Sequence, residues 1–185
     1  MEYETRQDMI KSLNLKGHVA EIGVFRGEFA DDILKLCPNI TKLTLVDIWE
    51  PANIASGDQD GNNMKCYSGI DNYQTVLSKY FQNTKVRIIR DDSVSYLSTL
   101  RDNILDAIYI DADHSYEGCL RDLESAYRVV KDGGYIMGHD YKITSKCQHD
   151  HVFGVGKAVD ELCKKYNLSI YALGMDGCAS YAIKK

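Results

Sequence analysis

The sequence predicts an α/β fold, a mostly parallel sheet with helices on both faces, and three observations carry that expectation. Short apolar runs alternate with longer amphipathic ones along the 185 residues, the pattern of repeated strand–helix units. The apolar runs tend to end in a glycine or an acid, as at Ile22-Gly23 and Val46-Asp47. The last two runs instead flank Gly174-Met175-Asp176-Gly177 with no helical stretch between them, which reads as an antiparallel hairpin.

Buried strands are predicted over residues 18–22, 42–47, 85–90, 105–111, 134–138, 169–173 and 179–183, seven in all. Apolar residues at three- and four-residue spacing predict helices over 28–36, 69–81, 93–101, 116–130 and 156–166. A further helix is expected before about Leu15, packed beside the sheet. Two connections, 49–68 and 140–155, exceed what joining two elements requires. Loops of that length usually cover a site, and both follow strand C-terminal ends, where a parallel sheet binds its ligands.

Length and composition favour one domain spanning 1–185, since 44% hydrophobic content supports a single buried core. Lys and Arg number 22 against 27 Asp and Glu, a formal charge of -5, so no basic footprint for nucleic acid or an anionic membrane is offered. No stretch has the length and apolarity of a membrane span or signal peptide, and a cytoplasmic location is expected. The six cysteines form no Cys-x-x-Cys pair, which leaves free buried thiols as the expectation. Cys147, His149 and His151 match no closed four-ligand zinc spacing and read as part of a lid.

The segment Val19-Ala20-Glu21-Ile22-Gly23-Val24-Phe25-Arg26-Gly27 is a strand, a glycine turn that permits close ligand approach, and a helix start. A dinucleotide site would carry Gly-x-Gly-x-x-Gly, whose second glycine admits a pyrophosphate. Here Phe25 holds that position, and a ligand without phosphates fits better. Asp47 ends the second strand, 24 positions after Gly23, where an acid can accept ribose hydroxyls. Arg90-Asp91-Asp92-Ser93 follows the third strand and offers polar groups to an adenine edge. The three elements together outline a nucleoside pocket.

On these residues the chain resembles the class I S-adenosylmethionine-dependent methyltransferases over nearly its whole length. Residues 21–27 look like the family's first motif, which implies that Glu21, Gly23, Val24, Phe25 and Gly27 flank the methionine part of the cofactor. Asp47, with Ile48 beside it, corresponds to the ribose-binding acid, and Asp92-Ser93 resembles the adenine-contacting motif, with Asp91 where many relatives carry glycine. The resemblance implies a Rossmann-like sheet of order 3-2-1-4-5-7-6, the seventh strand antiparallel.

The fourth strand runs into Ile110-Asp111-Ala112-Asp113-His114-Ser115, and the fifth into Gly138-His139-Asp140-Tyr141. Adjacent strand tips lie about 5 Å apart, so Asp111, His139 and Asp140 can share one ion. A neutral alcohol is a poor nucleophile, and methylating one calls for a positioned base, a metal, or both; Asp113 or His114 is placed to be that base. Oxygen and imidazole ligands suit Mg or Mn, without excluding Fe or Zn. The segment looks like metal-dependent sugar O-methyltransferases of the macrocin type. That likeness implies Asp111, His139 and Asp140 as ligands, Asp111 also at the cofactor, and Asp113 as base; His139 stands where relatives usually carry a second carboxylate. Asp111 and Asp113 also read as caps for the helix that follows.

The expected acceptor is a small molecule, a sugar hydroxyl by resemblance, with neither nucleic acid nor membrane as partner and a homodimer as a common arrangement for such enzymes. N-methylation of a small amine is the nearest alternative. A nicotinamide-dependent oxidoreductase would want the absent second glycine, and a non-catalytic binding protein would keep the fold without the chemistry.

Overall fold

The computed structural model describes residues 1–50, 69–142, 144 and 153–185. Strands β1 (Glu2–Tyr3), β2 (Gly17–Ile22), β3 (Ile40–Asp47), β4 (Val86–Arg90), β5 (Leu105–Ile110), β6 (Val130–Gly138), β7 (Ile170–Gly174) and β8 (Ser180–Lys184) form one sheet in the order β1-β7-β8-β6-β5-β2-β3-β4. Helices α1 (Arg6–Leu13), α2 (Glu28–Leu36), α3 (Gly69–Tyr80), α4 (Ser93–Ser98), α5 (Tyr116–Val129) and α6 (Val155–Tyr166) connect them. Counted from β2, the order is the expected 3-2-1-4-5-7-6, with β8 antiparallel to both β6 and β7.

The side-chain period of two divides the core into two layers. On β5, Ala107 and Tyr109 face the layer of α1, α2 and α3, built on Met9, Ile10, Phe29, Ile33, Val76 and Tyr80. Ile108 and Ile110 face the layer of α4, α5 and α6, built on Leu97, Leu123, Ala126, Val159 and Leu162, and Leu105 joins them across the register shift before Ala107. A strand apolar on both faces is what a parallel sheet covered by helices requires.

Local chemistry sets the helix ends. Thr5 accepts the amide of Asp8 and Ser115 that of Gly118, the side-chain caps expected at N-termini. Asn14 and Asn167 close α1 and α6 in the left-handed conformation, φ 48° and 52°.

Three differences from the sequence reading have physical causes. β1 adds an eighth strand parallel to β7, pairing Glu2 with Leu173 and Tyr3 with Gly174; two residues are too short to show an alternation. The helix expected over 93–101 stops at Ser98, where the Ser98 and Thr99 hydroxyls donate to the carbonyls of Ser95 and Tyr96. β6 begins at Val130, which pairs with Leu105 before a register shift to Tyr135 opposite Ala107. Gly133, at φ +79°, carries that shift.

Cys37, Cys119 and Cys163 are free thiols, but Cys178 is disulfide-bonded, which corrects the expectation at that position. Of the long connections expected over 49–68 and 140–155, residues 51–68, 143 and 145–152, among them Cys147, His149 and His151, lie outside the described residues. No helix among the described residues is long and apolar enough to cross a membrane.

Candidate active site

The tips of β2, β3, β5 and β6 converge on one end of the sheet, and the glycine turn after β2 is built to approach β5. Gly23 has φ +82°, and a Cβ there would lie 1.9 Å from the Asp111 carbonyl oxygen, so only glycine fits. Phe25 and Gly27 also take positive φ, 54° and 76°, coiling the loop into the start of α2. Lys79 donates to the carbonyls of Arg26 and Gly27, and the Tyr80 hydroxyl donates to Gly27, so α3 fixes the far end of the turn.

Asp47 organises this loop. Its Oδ2 accepts the amides of Val24 at 2.8 Å and Phe25 at 3.0 Å, and its Oδ1 accepts that of Trp49 at 2.7 Å. A carboxylate has about four acceptor lobes, so these three amides leave one lobe of Oδ1 for the ribose hydroxyls that the sequence reading expected Asp47 to accept. Trp49 is 2% exposed, and its indole donates to the Phe25 carbonyl at 2.8 Å, a second tie that the sequence reading missed. Ile48 is largely exposed, and its carbonyl accepts Arg90 Nε at 3.1 Å.

Glu21 lies below the turn, 2% exposed, with no hydrogen-bond partner for Oε2. Burial, reinforced by the charge of Asp111, pushes its carboxyl well above the usual range. Its unbonded Oε2 is a buried polar atom open to a ligand. The Asp92-Ser93 pair is engaged within the protein. Asp92 Oδ1 caps α4 by accepting the Ser95 amide, and the Ser93 hydroxyl donates to Asp122 Oδ1 at 2.6 Å. Asp122 was missed as well, although an acid on the apolar stripe of residues 119, 123 and 126 was a legible signal.

The expected cluster at the tips of β5 and β6 does assemble. One donor atom each from Asp111, His139 and Asp140 lies within 4.8 Å of the others. Asp140 reaches it from a left-handed backbone, φ 60°, a conformation that Asp tolerates better than most residues. His139 Nδ1 is 3.1 Å from Asp140 Oδ1. His114 Nε2 lies between the two acids, 2.9 Å from Asp140 Oδ2 and 3.3 Å from Asp111 Oδ1, its ring against Phe153.

Burial opposes a charge on His114, but its hydrogen bonds to Asp111 and Asp140, with their charges, outweigh that and hold its pKa up at about 10. Burial likewise opposes the Asp140 carboxylate, yet the bonds from His114 and His139 hold its pKa well below the usual range. Asp113 stays outside this cluster. Its Oδ1 accepts the Ser115 amide at 2.8 Å, and its carboxylate fills the space a Cβ on Gly118 would occupy, which is a helix-start role.

A family model described as a methyltransferase domain matches residues 20–141. The chain belongs to that methyltransferase family. The matched segment runs from the strand before the glycine turn to the residue after Asp140, and so spans every candidate site residue named above. Solved structures agree on the fold of this methyltransferase. The S-adenosylmethionine-dependent methyltransferase from Aquifex aeolicus is 17% identical, with 97% of this chain and 89% of that one covered at a TM-score of 0.59. The N-methyltransferase NodS from Bradyrhizobium japonicum WM9 is 11% identical, covering 97% and 92% at 0.65. The O-methyltransferase NovP is 19% identical, covering 97% and 80% at 0.64. No curated protein matches. The methyl donor of the class, S-adenosylmethionine, suits the residues present: a backbone cradle at Gly23, an acceptor lobe on Asp47 and an orphaned buried carboxyl at Glu21.

Proposed function

We propose that this methyltransferase moves the methyl group of S-adenosylmethionine onto a hydroxyl of a small molecule, a sugar by its likeness to the macrocin type, with Asp111, His139 and Asp140 holding Mg or Mn beside the acceptor. The observation that carries the reading is the convergence of those three donors within 4.8 Å, on tips adjoining the glycine turn.

The cofactor would supply an electrophilic methyl on a sulfonium, and the chain's residues orient it. Glu21 offers its orphaned carboxyl to the ammonium end, Asp47 offers its remaining Oδ1 lobe to the ribose, and Ser93 stands at the α4 start on the adenine side. A bound divalent ion would supply acidity to the acceptor hydroxyl. Asp140, held ionised, and Asp111 would be the anionic ligands of such an ion, and His139 would join them as a neutral imidazole. His114 is favoured over Asp113 as the proton acceptor, because Asp113 is committed to the start of α5. As described, His114 keeps its proton only through Asp111 and Asp140. Once those carboxylates are engaged elsewhere, its imidazole returns to a range in which it accepts a proton at neutral pH.

The named neighbours include both an O- and an N-methyltransferase. The acidic cluster favours a hydroxyl, which needs more activation than an amine. Turnover of hydroxylated acceptors, sugars first, measured with Mg or Mn and with a chelator, tests the reading. It predicts that the chelator abolishes methylation and that Asp140→Ala and Asp111→Ala lower it at least 100-fold, the scale on which ligand and base losses act (roughly 10²–10⁴). Unchanged turnover in both variants and in chelator would refute it.

A further inference from the structure

Arg6 opens α1 beside the strand tips, in a segment that the sequence reading took only as packing. Its guanidinium lies over the Phe29 ring, 4.6 Å from the centroid, and Phe29 packs on Tyr109 at 4.2 Å. The stack carries the cation inward to the α1–α2 face of β5, within the field of Glu21 and Asp111. The position is fixed from behind. The Arg6 amide donates to Asp176 Oδ1 at 2.8 Å, and a Cβ on Gly174 would lie 2.7 Å from Arg6 Cα. Among the described residues, no carboxylate oxygen lies within 4.0 Å of this guanidinium. Burial opposes the charge, but Tyr109, Asp111 and Asp176 outweigh it and keep the guanidinium firmly cationic, so it stands ready to take a direct ion pair from a ligand carboxylate.

The amino-acid end of S-adenosylmethionine is a zwitterion, and its carboxylate enters a site already lined by the acids Asp47, Asp111 and Asp140. Like charges repel in a site partly shielded from water, so that carboxylate needs a dedicated cation. His114 and His139 do not serve, since both are bonded to Asp140. We infer that Arg6 receives the α-carboxylate of the methyl donor, complementing the buried Glu21 carboxyl that faces its ammonium group. The inference rests on the reading above that this site takes S-adenosylmethionine. It adds the discrimination of that cofactor from nucleosides lacking a carboxylate.

Decarboxylated S-adenosylmethionine, which keeps the sulfonium and ammonium and lacks only the carboxylate, is the probe. Calorimetric titration of the wild-type chain is expected to show S-adenosylmethionine binding at least tenfold tighter than the decarboxylated form. In Arg6→Ala that ratio falls to about one, through weaker binding of the carboxylated ligand alone, and Arg6→Lys restores part of it. A merely structural arginine would weaken both ligands alike and leave the ratio unchanged, and that result overturns the inference. So does a wild-type ratio near one, which would leave the assignment of the site intact. A wild-type chain that binds neither ligand removes the proposed function together with this inference.

Discussion

Asp122 is 2% exposed on the apolar side of α5, and Ser93 is its hydrogen-bonding partner. Burial is the largest influence on its carboxyl and pushes its pKa up to about 6 from 3.8. The unfolded chain ionises this group first, so between about pH 4 and pH 6 the folded state binds more protons, and stability falls as pH rises through that window. Asp122→Asn keeps an acceptor for Ser93 and removes the ionisation. Urea denaturation at pH 4 and pH 7 should find the variant more stable than the wild type at pH 7 by up to roughly 3 kcal/mol, with little difference at pH 4; equal or lower stability at pH 7 would contradict the burial argument. Residue identity was the most legible level at the tips. Asp111, His139 and Asp140 were placed together from the adjacency of their strands and from the resemblance to metal-dependent methyltransferases, and their donors do meet. Roles were less legible. Spacing puts Asp47 and Asp113 at the correct tips but does not tell which amides they accept, and both spend acceptor lobes on the loops that position them.

The glycine turn is the element on which cofactor access depends. Gly23→Ala would set a methyl group against the Asp111 backbone in a left-handed conformation, and neither a rotamer change nor a side-chain shift relieves a backbone clash. The expected cost is about 3 kcal/mol, from overpacking and strain together, and a thermal melt should show it. A melting temperature equal to the wild type's would mean that β2 and β5 separate more easily than this packing implies. Elements were legible where burial imposes a period. α2 spans the 28–36 expected for it, because its apolar stripe runs its full length. β1 was invisible because its pairing with β7 is a matter of backbone rather than pattern, and α4 was overextended because serine and threonine end a helix through bonds that composition does not reveal.

At the scale of the molecule, strand order decides which side chains meet. β2 lies between β3 and β5, and β6 beyond β5, so the glycine turn, the Asp47 tip and the Asp111–Asp140 cluster follow one another along a single edge. The order of the seven strands from β2 onward was expected only through the family resemblance, while the terminal hairpin was legible in the residues themselves. Arg6 was not, because its approach depends on how α1 lies against the sheet rather than on any pattern within its own segment. A crystal structure of the protein with bound S-adenosylhomocysteine tests the central claim most directly. The nucleoside should lie on the Gly23–Gly27 turn with a ribose hydroxyl on Asp47 and the sulfur turned toward Asp111, His139 and Asp140. Density for the ligand anywhere else, or a sulfur facing away from that cluster, would contradict the account.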